Sequence, residues 1–360
     1  MKSYNHLWEQ FISEENILLA IEKASKGKYD REEVIQAHEN LDITVKKIKH
    51  YAENFHNCDH VPIEIYDGIS RKKRIIIVPK YKEQIIHHMI INVLEPIFMR
   101  GMYEHSYGSI PNRGLHKGMK LVKKWIKRKK KHVKYCLKMD IKKFFDSIPH
   151  DILVDKFREI IHDAKFLELI IELINVTETG IPLGFYTSQW FANWYLQKLD
   201  HYIKEELCAK CYIRYMDDMV IFCSNKKELH RMRDAISSYL NKNLGLTLKK
   251  NWQVFRFDYI KNGKRHGRCL DFIGFKFYRD KIVLRKSIML KVSRKANKMY
   301  KKDKATIHDI RQLLSYLGWL DYTDAYNMYL KHIEPFVNIK ECKKRISEHD
   351  KRCKKNERRD

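Results

Sequence analysis

"RYMDDMVIF", residues 214–222, sets two adjacent acids between short apolar runs. With the residues on either side it becomes "CYIRYMDDMVIFC", a β-hairpin pattern with Asp217 and Asp218 at its tip. Neighbouring carboxylates repel, so the pair needs solvent or cations to offset the charge. A solvated acidic turn and half of a metal site both satisfy that need, and the string alone does not choose between them.

The choice depends on a third acid. "VKYCLKMD" (133–140) puts Val133, Tyr135, Leu137 and Met139 on one side and reads as a strand ending at Asp140. If that strand and the hairpin lie in one antiparallel sheet, three carboxylates converge, which is tolerable only with cations among them. All-oxygen ligands favour Mg²⁺, with Mn²⁺ as a substitute, over zinc. Two such ions activate an attacking hydroxyl and stabilise a leaving phosphate oxygen, so nucleotidyl transfer is the reaction this set suits.

Composition agrees. The 360 residues carry 72 Lys and Arg against 45 Asp and Glu, a net charge of +27, which points to a polyanionic partner. Hydrophobic residues at 44% and aromatics at 12% exclude a disordered chain, and the length allows two or three packed subdomains. No apolar run reaches the ~20 residues of a membrane span, and the first residues lack a signal-peptide pattern. The eight cysteines have no disulfide rhythm; a reduced cytoplasmic setting without membrane contact is expected. Cys208 and Cys211 make one C-x-x-C with no second, read as ordinary thiols.

Along the chain, residues 4–57 read as helices and "VPIEIYDGISRKKRIIIVPK" (61–80) as two strands around a turn. "YKEQIIHHMIINVLEPIF" (81–98) reads as a helix that ends in the neighbourhood of Pro96. A Gly- and Pro-punctuated loop fills 105–118, and a strongly basic helix, "MKLVKKWIKRKKKH", follows as a solvated or a phosphate-binding face. Helices are expected over 150–175, 188–207 and 226–243, with short strands near 252–258 and in "LDFIGFKFYRDKIVLR". The last hundred residues read as helical and basic, closing in a loosely ordered tail.

"LKMDIKKFFDSI", "GIPLGFYTSQWFANWYLQKLD", "YIRYMDDMVIF", "LGLTLKKNW" and "DFIGFKF" stand in the order and spacing of the palm motifs of reverse transcriptases, and the chain resembles that family. "RKKRIIIVPKYKEQIIHHMIINVLEPIF" and "HSYGSIPNRGLHKG" are similar to the fingers motifs of its bacterial members. The likeness covers roughly residues 60–290. It implies an α+β right-hand polymerase with an antiparallel palm sheet and a helical thumb. The regions would be an N-terminal helical part (1–60), fingers (61–134), palm (135–290, with 150–180 contributing to fingers), thumb (291–345) and basic tail (346–360). A catalytically silent RNA-binding scaffold is the alternative from another class, and the presence of all three acids speaks against it.

The resemblance also implies roles. Asp140, Asp217 and Asp218 match the metal-binding aspartates, with the Ile141 carbonyl as a further ligand. Phe145 matches the ring that excludes a ribose 2′-hydroxyl, while Phe144 suits the core. Arg74, with Lys72 or Lys73, matches the cation that clamps the incoming dNTP, and Leu183 and Gly184 belong to the nucleotide-binding motif. Arg113, Gln189 and Gly274 are assigned to template or primer, Gly274 because a bare backbone approaches a strand closely. The motif-D lysine falls on Lys249 or Lys250, or is displaced by Trp252. Leu183, where many relatives have Gln, and Ser188-Gln189, where many have Ser-Pro, resemble the enzymes of diversity-generating retroelements, which copy with errors opposite adenine. Those enzymes have Asn where this chain has Phe185. The implied partners are an RNA template, a nucleic-acid primer, a basic helical accessory protein and a structured non-coding RNA. A phage-defence enzyme copying a non-coding RNA is the second reading; retron and group II intron enzymes fit the motifs less well.

Overall fold

The computed structural model describes residues 3–56, 60–66, 73–302, 305–320 and 322–356, with the backbone alone for 352–356. The chain opens with α1 (Leu7–Phe11), α2 (Glu14–Ser25), α3 (Glu32–Glu39) and α4 (Leu41–Glu53), then the hairpin β1 (Ile63–Tyr66) and β2 (Lys73–Ile76). Next come α5 (Tyr81–Met99), α6 (Leu115–Arg128), β3 (Tyr135–Asp140), α7 (His150–Arg158), α8 (Ala164–Ile174), α9 (Tyr186–Tyr195) and α10 (Gln197–His201). A π-helical turn (Tyr202–Glu206) leads to β4 (Cys211–Tyr215), β5 (Asp218–Cys223) and α11 (Lys226–Leu244). Short strands follow: β6 (Gln253–Arg256), β7 (Tyr259–Lys261), β8 (Lys264–His266), β9 (Leu270–Phe272), β10 (Phe275–Phe277) and β11 (Ile282–Leu284). The chain closes with α12 (Lys286–Tyr300), α13 (Ile307–Leu317), α14 (Tyr326–His332) and α15 (Ile339–Asn356). The α+β class and the antiparallel pairing are as expected.

The residues divide into two compact units. The first comprises the described residues up to Tyr66, Lys73–Gly118 and Lys131–Val254. Its sheet has the order β4-β5-β3, with β6 beyond β3. Alternation decides which way each strand faces: Leu137 pairs with Ile221 and Met139 with Met219, and all four enter the main core. Lys138 and Asp140 therefore point to the opposite face, with Asp218. In the helical core Phe98 stacks on Trp194 at 5.0 Å, and Phe157 meets Phe191 edge-on at 4.9 Å. The second unit takes Met119–Lys130 and the chain from Phe255, with the three-stranded sheet β11-β10-β9 and helices α12–α15.

Helix α5 runs through Pro96 and ends at Met99, within a residue of the expected stretch 81–98. A proline this close to the end forfeits little of the backbone ladder, and buried Leu94 and Phe98 hold the last turn. The tail expected from residue 346 is helical up to Asn356. Buried Cys342, an Arg311–Asp350 ion pair of 2.6 Å and an Arg345 bond to the Ala305 carbonyl of 2.6 Å anchor it, and its Lys, Arg and Glu residues favour helix.

His87 of α5 is buried, with Nδ1 3.0 Å from the Thr187 hydroxyl and its ring 4.5 Å from that of Phe185. Burial, followed by the neighbouring His88 and His60, lowers its pKa from the usual 6.5 to about 3. Between those values the unfolded chain binds a proton that the folded chain refuses. Unfolding free energy therefore falls as pH drops below 6.5, by up to ~1.4 kcal/mol per pH unit for this group. In urea titrations across that range, His87→Gln should flatten the decline by about one proton's worth. Parallel curves for the two proteins would refute the assignment.

Candidate active site

The register puts Asp140 directly opposite Asp218 across the β3–β5 pair, and Tyr215 opposite Asp218 across β4–β5. Only Met216 and Asp217 remain to turn the hairpin. Met216 does so in the left-handed region, at φ 53°. Burial, then the Asp140 carboxyl beside it, push the Asp217 carboxyl up to about 7. Three acids predicted to converge are thus gathered at one end of the sheet.

Lysines provide the local positive charge. Lys249 Nζ ion-pairs with Asp140 Oδ2, and Lys138 Nζ lies 3.5 Å from Asp218 Oδ2. The strand end itself delivers Lys249. An antiparallel bridge joins Ile141 to Leu248, made by Lys142 N–H to the Thr247 carbonyl and Lys249 N–H to the Asp140 carbonyl, both 2.8 Å. Neither bond uses the Ile141 carbonyl. Trp252 is engaged elsewhere, under the Arg233 guanidinium at 4.0 Å and edge-on to His230. Of the three motif-D positions considered, Lys249 is the one at the acids.

Among the described residues no group of three or more His, Cys, Asp or Glu side chains is arranged so that it could hold a metal ion. The donor set nevertheless suits a hard divalent cation. It consists of carboxylate oxygens on a shared face, and Asp140 Oδ1 is buried with no hydrogen-bond donor among the described residues.

Beneath the hairpin lies a network that the sequence reading missed. Arg214, fully buried, grips fully buried Asp200 of α10 with Nη2–Oδ2 of 2.5 Å and Nε–Oδ1 of 2.8 Å. The Tyr212 hydroxyl donates to the same carboxylate at 2.6 Å. Arg214 Nη1 then donates to the Met216 carbonyl at 3.0 Å and to Asn193 Oδ1 at 3.1 Å. The Asn193 amide continues to the carbonyls of Gly108 (2.8 Å) and Gln189 (3.0 Å). The backbone of Arg214 also pairs with the 105–107 loop, through Arg214 N–H to His105 O (3.1 Å) and Tyr107 N–H to Arg214 O (3.0 Å). The only hint in the sequence is one Arg at an inward strand position and one Asp on a helix rich in apolar residues.

The other assigned residues separate into several places. Phe144 is core and Phe145 half-buried, their rings edge-on at 5.5 Å, while the Phe145 carbonyl accepts from Ile181 N–H at 2.9 Å. The Leu183 carbonyl accepts from Ile77 N–H at 2.7 Å. Gly184, at φ +113°, packs so tightly on Ile77 that a Cβ would collide with the Ile77 carbonyl. Gln189 is exposed on α9. Arg74 is exposed on β2 opposite Ile65, Lys73 pairs with Glu64 at 2.5 Å, and Lys72 lies outside the described residues. Arg113 donates through Nη1 to the carbonyls of Tyr103 and Ser106, bracing its own loop. Gly274, at φ +85°, belongs to the second unit, and the room its missing side chain leaves is taken by Trp319 and Ile288. The close approach that requires this glycine is thus intramolecular.

Comparison with known proteins bears on the same region. Residues 66–277 match the family described as "Reverse transcriptase (RNA-dependent DNA polymerase)". Protein YkfC of Escherichia coli (strain K12) is 22% identical over 235 residues, 53% of this chain and 61% of that protein. The Retron Ec73 reverse transcriptase of Escherichia coli is 26% identical over 205 residues, 52% of this chain and 62% of that enzyme. The chain thus spans about three fifths of these two relatives. An apo telomerase structure from Candida tropicalis overlays with a TM-score of 0.49 at 14% identity, covering 71% of this chain and 52% of that one.

Removing one partner of a buried pair leaves the other charge stranded. Asp200→Asn should therefore lower unfolding free energy by ~3–5 kcal/mol in denaturant titration. Replacing both partners with apolar residues, Arg214→Met with Asp200→Leu, should recover part of that loss. A single-mutant effect below ~1 kcal/mol would place the pair with weak surface bridges instead.

Proposed function

The chain belongs to the reverse transcriptase family, and we propose that it is an RNA-directed DNA polymerase that extends a nucleic-acid primer with dNTPs. The observation that carries the proposal is the facing of Asp140 and Asp218 across β3–β5, with Asp217 in the turn beside them. Asp140, Asp217 and Asp218, with the Ile141 carbonyl, would hold the divalent cations. When bound, two Mg²⁺ ions supply activation of the primer hydroxyl and charge stabilisation on the leaving pyrophosphate.

The chain's own groups do the rest. Lys249, held at Asp140, is placed to hand a proton from Nζ to the leaving pyrophosphate. The Phe145 ring, its backbone pinned by Ile181, stands as the barrier to a 2′-hydroxyl. Arg74 on its exposed hairpin serves as the triphosphate clamp, and Gln189 as a template contact. In this architecture the first unit's sheet is the palm of a right hand. Extension of a primed RNA with Mg²⁺ and dNTPs should be lost in Asp217→Ala; equal activity in wild type and variant would end the proposal.

Within the family we favour the diversity-generating type, because Leu183 offers only apolar contact where a glutamine would hydrogen-bond beside the nascent pair. A structured template RNA and a basic helical accessory protein go with that reading. The phage-defence reading gains from Phe185, which is buried against His87 at 4.5 Å and His60 at 5.3 Å and so departs from that type's Asn. Sequenced cDNA should show miscopying concentrated at template adenines, and Leu183→Gln should reduce it several-fold. Faithful copying by the wild type would decide for the second reading.

A further inference from the structure

Between residues 105 and 139 the sequence has twelve Lys and Arg and no Asp or Glu, and the polymerase site uses little of that charge. Helix α6 sorts the residues by face. Met119, Val122, Trp125 and Ile126 are buried, and Lys120 lies 4.5 Å over the Tyr322 ring of the same unit. Lys123, Lys124, Lys127, Arg128, Lys129 and Lys130 are all exposed. None of these six has a carboxylate partner among the described residues. Elsewhere exposed cations do find acids, as Lys198 does with Glu159 at 2.8 Å and Arg311 with Asp350 at 2.6 Å. A surface that leaves so many like charges side by side repels itself unless a polyanion is bound.

We propose that this face of α6 docks a double-stranded stem of the RNA that the enzyme copies; the proposal rests on the polymerase reading. Three features select a stem. The apolar side of the helix is already buried, so it offers nothing to insert into a bilayer. The helix's own exposed side carries no aromatic ring on which unpaired bases could stack, since Trp125 is buried, so its contacts are with phosphates. Five of the six cations are lysines, point charges that track a phosphate backbone without the bidentate fork that reads base edges. Within α6, Lys123 with Lys127 and Lys124 with Arg128 recur at four residues and so sit a turn apart, ~5.4 Å, along one side, and Lys129 and Lys130 follow just past its end. The surface thus recruits structured RNA by shape and charge, independently of sequence.

The test is fluorescence anisotropy with the full chain, without dNTPs or divalent metal, using an RNA hairpin stem and an unstructured RNA of equal length across a salt series. Substituting Lys123→Gln, Lys124→Gln, Lys127→Gln, Arg128→Gln and Lys130→Gln together should weaken stem binding about ten- to a hundredfold at moderate salt. The log–log salt slope should become shallower by roughly 3–4. The four lysines changed to Arg should retain both, and Asp217→Ala should leave both unchanged. Unchanged stem affinity and slope in the Gln variant would overturn the inference. So would equal loss on unstructured RNA, or a loss seen only with phosphatidylserine vesicles. If wild type proves unable to polymerise and the Gln variant still loses the stem, the polymerase reading fails and this surface stands.

Discussion

The buried pair of Arg214 and Asp200 is the constraint on which the acidic hairpin depends. Taking both charges out of water costs several kcal/mol per ion, recovered only if nearly every donor and acceptor is satisfied. Here they are: the guanidinium bonds Asp200, Asn193 and the Met216 carbonyl, and the carboxylate also receives the Tyr212 hydroxyl. The network's reach matters more than its strength. One guanidinium connects a helix, a strand and the turn that carries Asp217, so the left-handed residue at the tip is held by side chains from β4 and α9, Arg214 on its carbonyl and Asn193 on its sulfur. Preorganised carboxylates suit a site that must accept highly charged substrates without rearranging.

The electrostatics above the network follow from that rigidity. The backbone register brings Asp140 and Asp218 face to face, and Asp217 bears the cost as a carboxyl pushed to about 7, chiefly by burial. Lys249 and Lys138 moderate the excess negative charge. Because the Leu248 bridge fixes the backbone at Lys249, its ammonium reaches Asp140 as a consequence of strand pairing, not as a loose surface ion pair.

Much of this was legible in the sequence for a specific reason. The acids lie at strand ends with period-2 patterns on either side, so local chemistry and local structure point the same way. Phe144 is core, as expected of it, and Phe145 is half-buried. The Arg214–Asp200 pair was not legible, because its members lie in different elements and each alone resembles an ordinary charge. Gly274 was legible as a tight spot, but what crowds it, Trp319, lies in a later and separate part of the chain. The helical tail was missed because its anchors, Arg311–Asp350 and Arg345 with Ala305, are tertiary.

The 105–107 loop has one further consequence. It lies along the outer side of β4, with Ser106 bridging Arg214 in parallel, so the strand carrying the Y-x-D-D turn does not present an open row of amides and carbonyls. Exposed sheet edges invite pairing with other chains. The segment leaves the end of the sheet that carries the acids uncovered by further strands while keeping its edge from becoming a seed for aggregation.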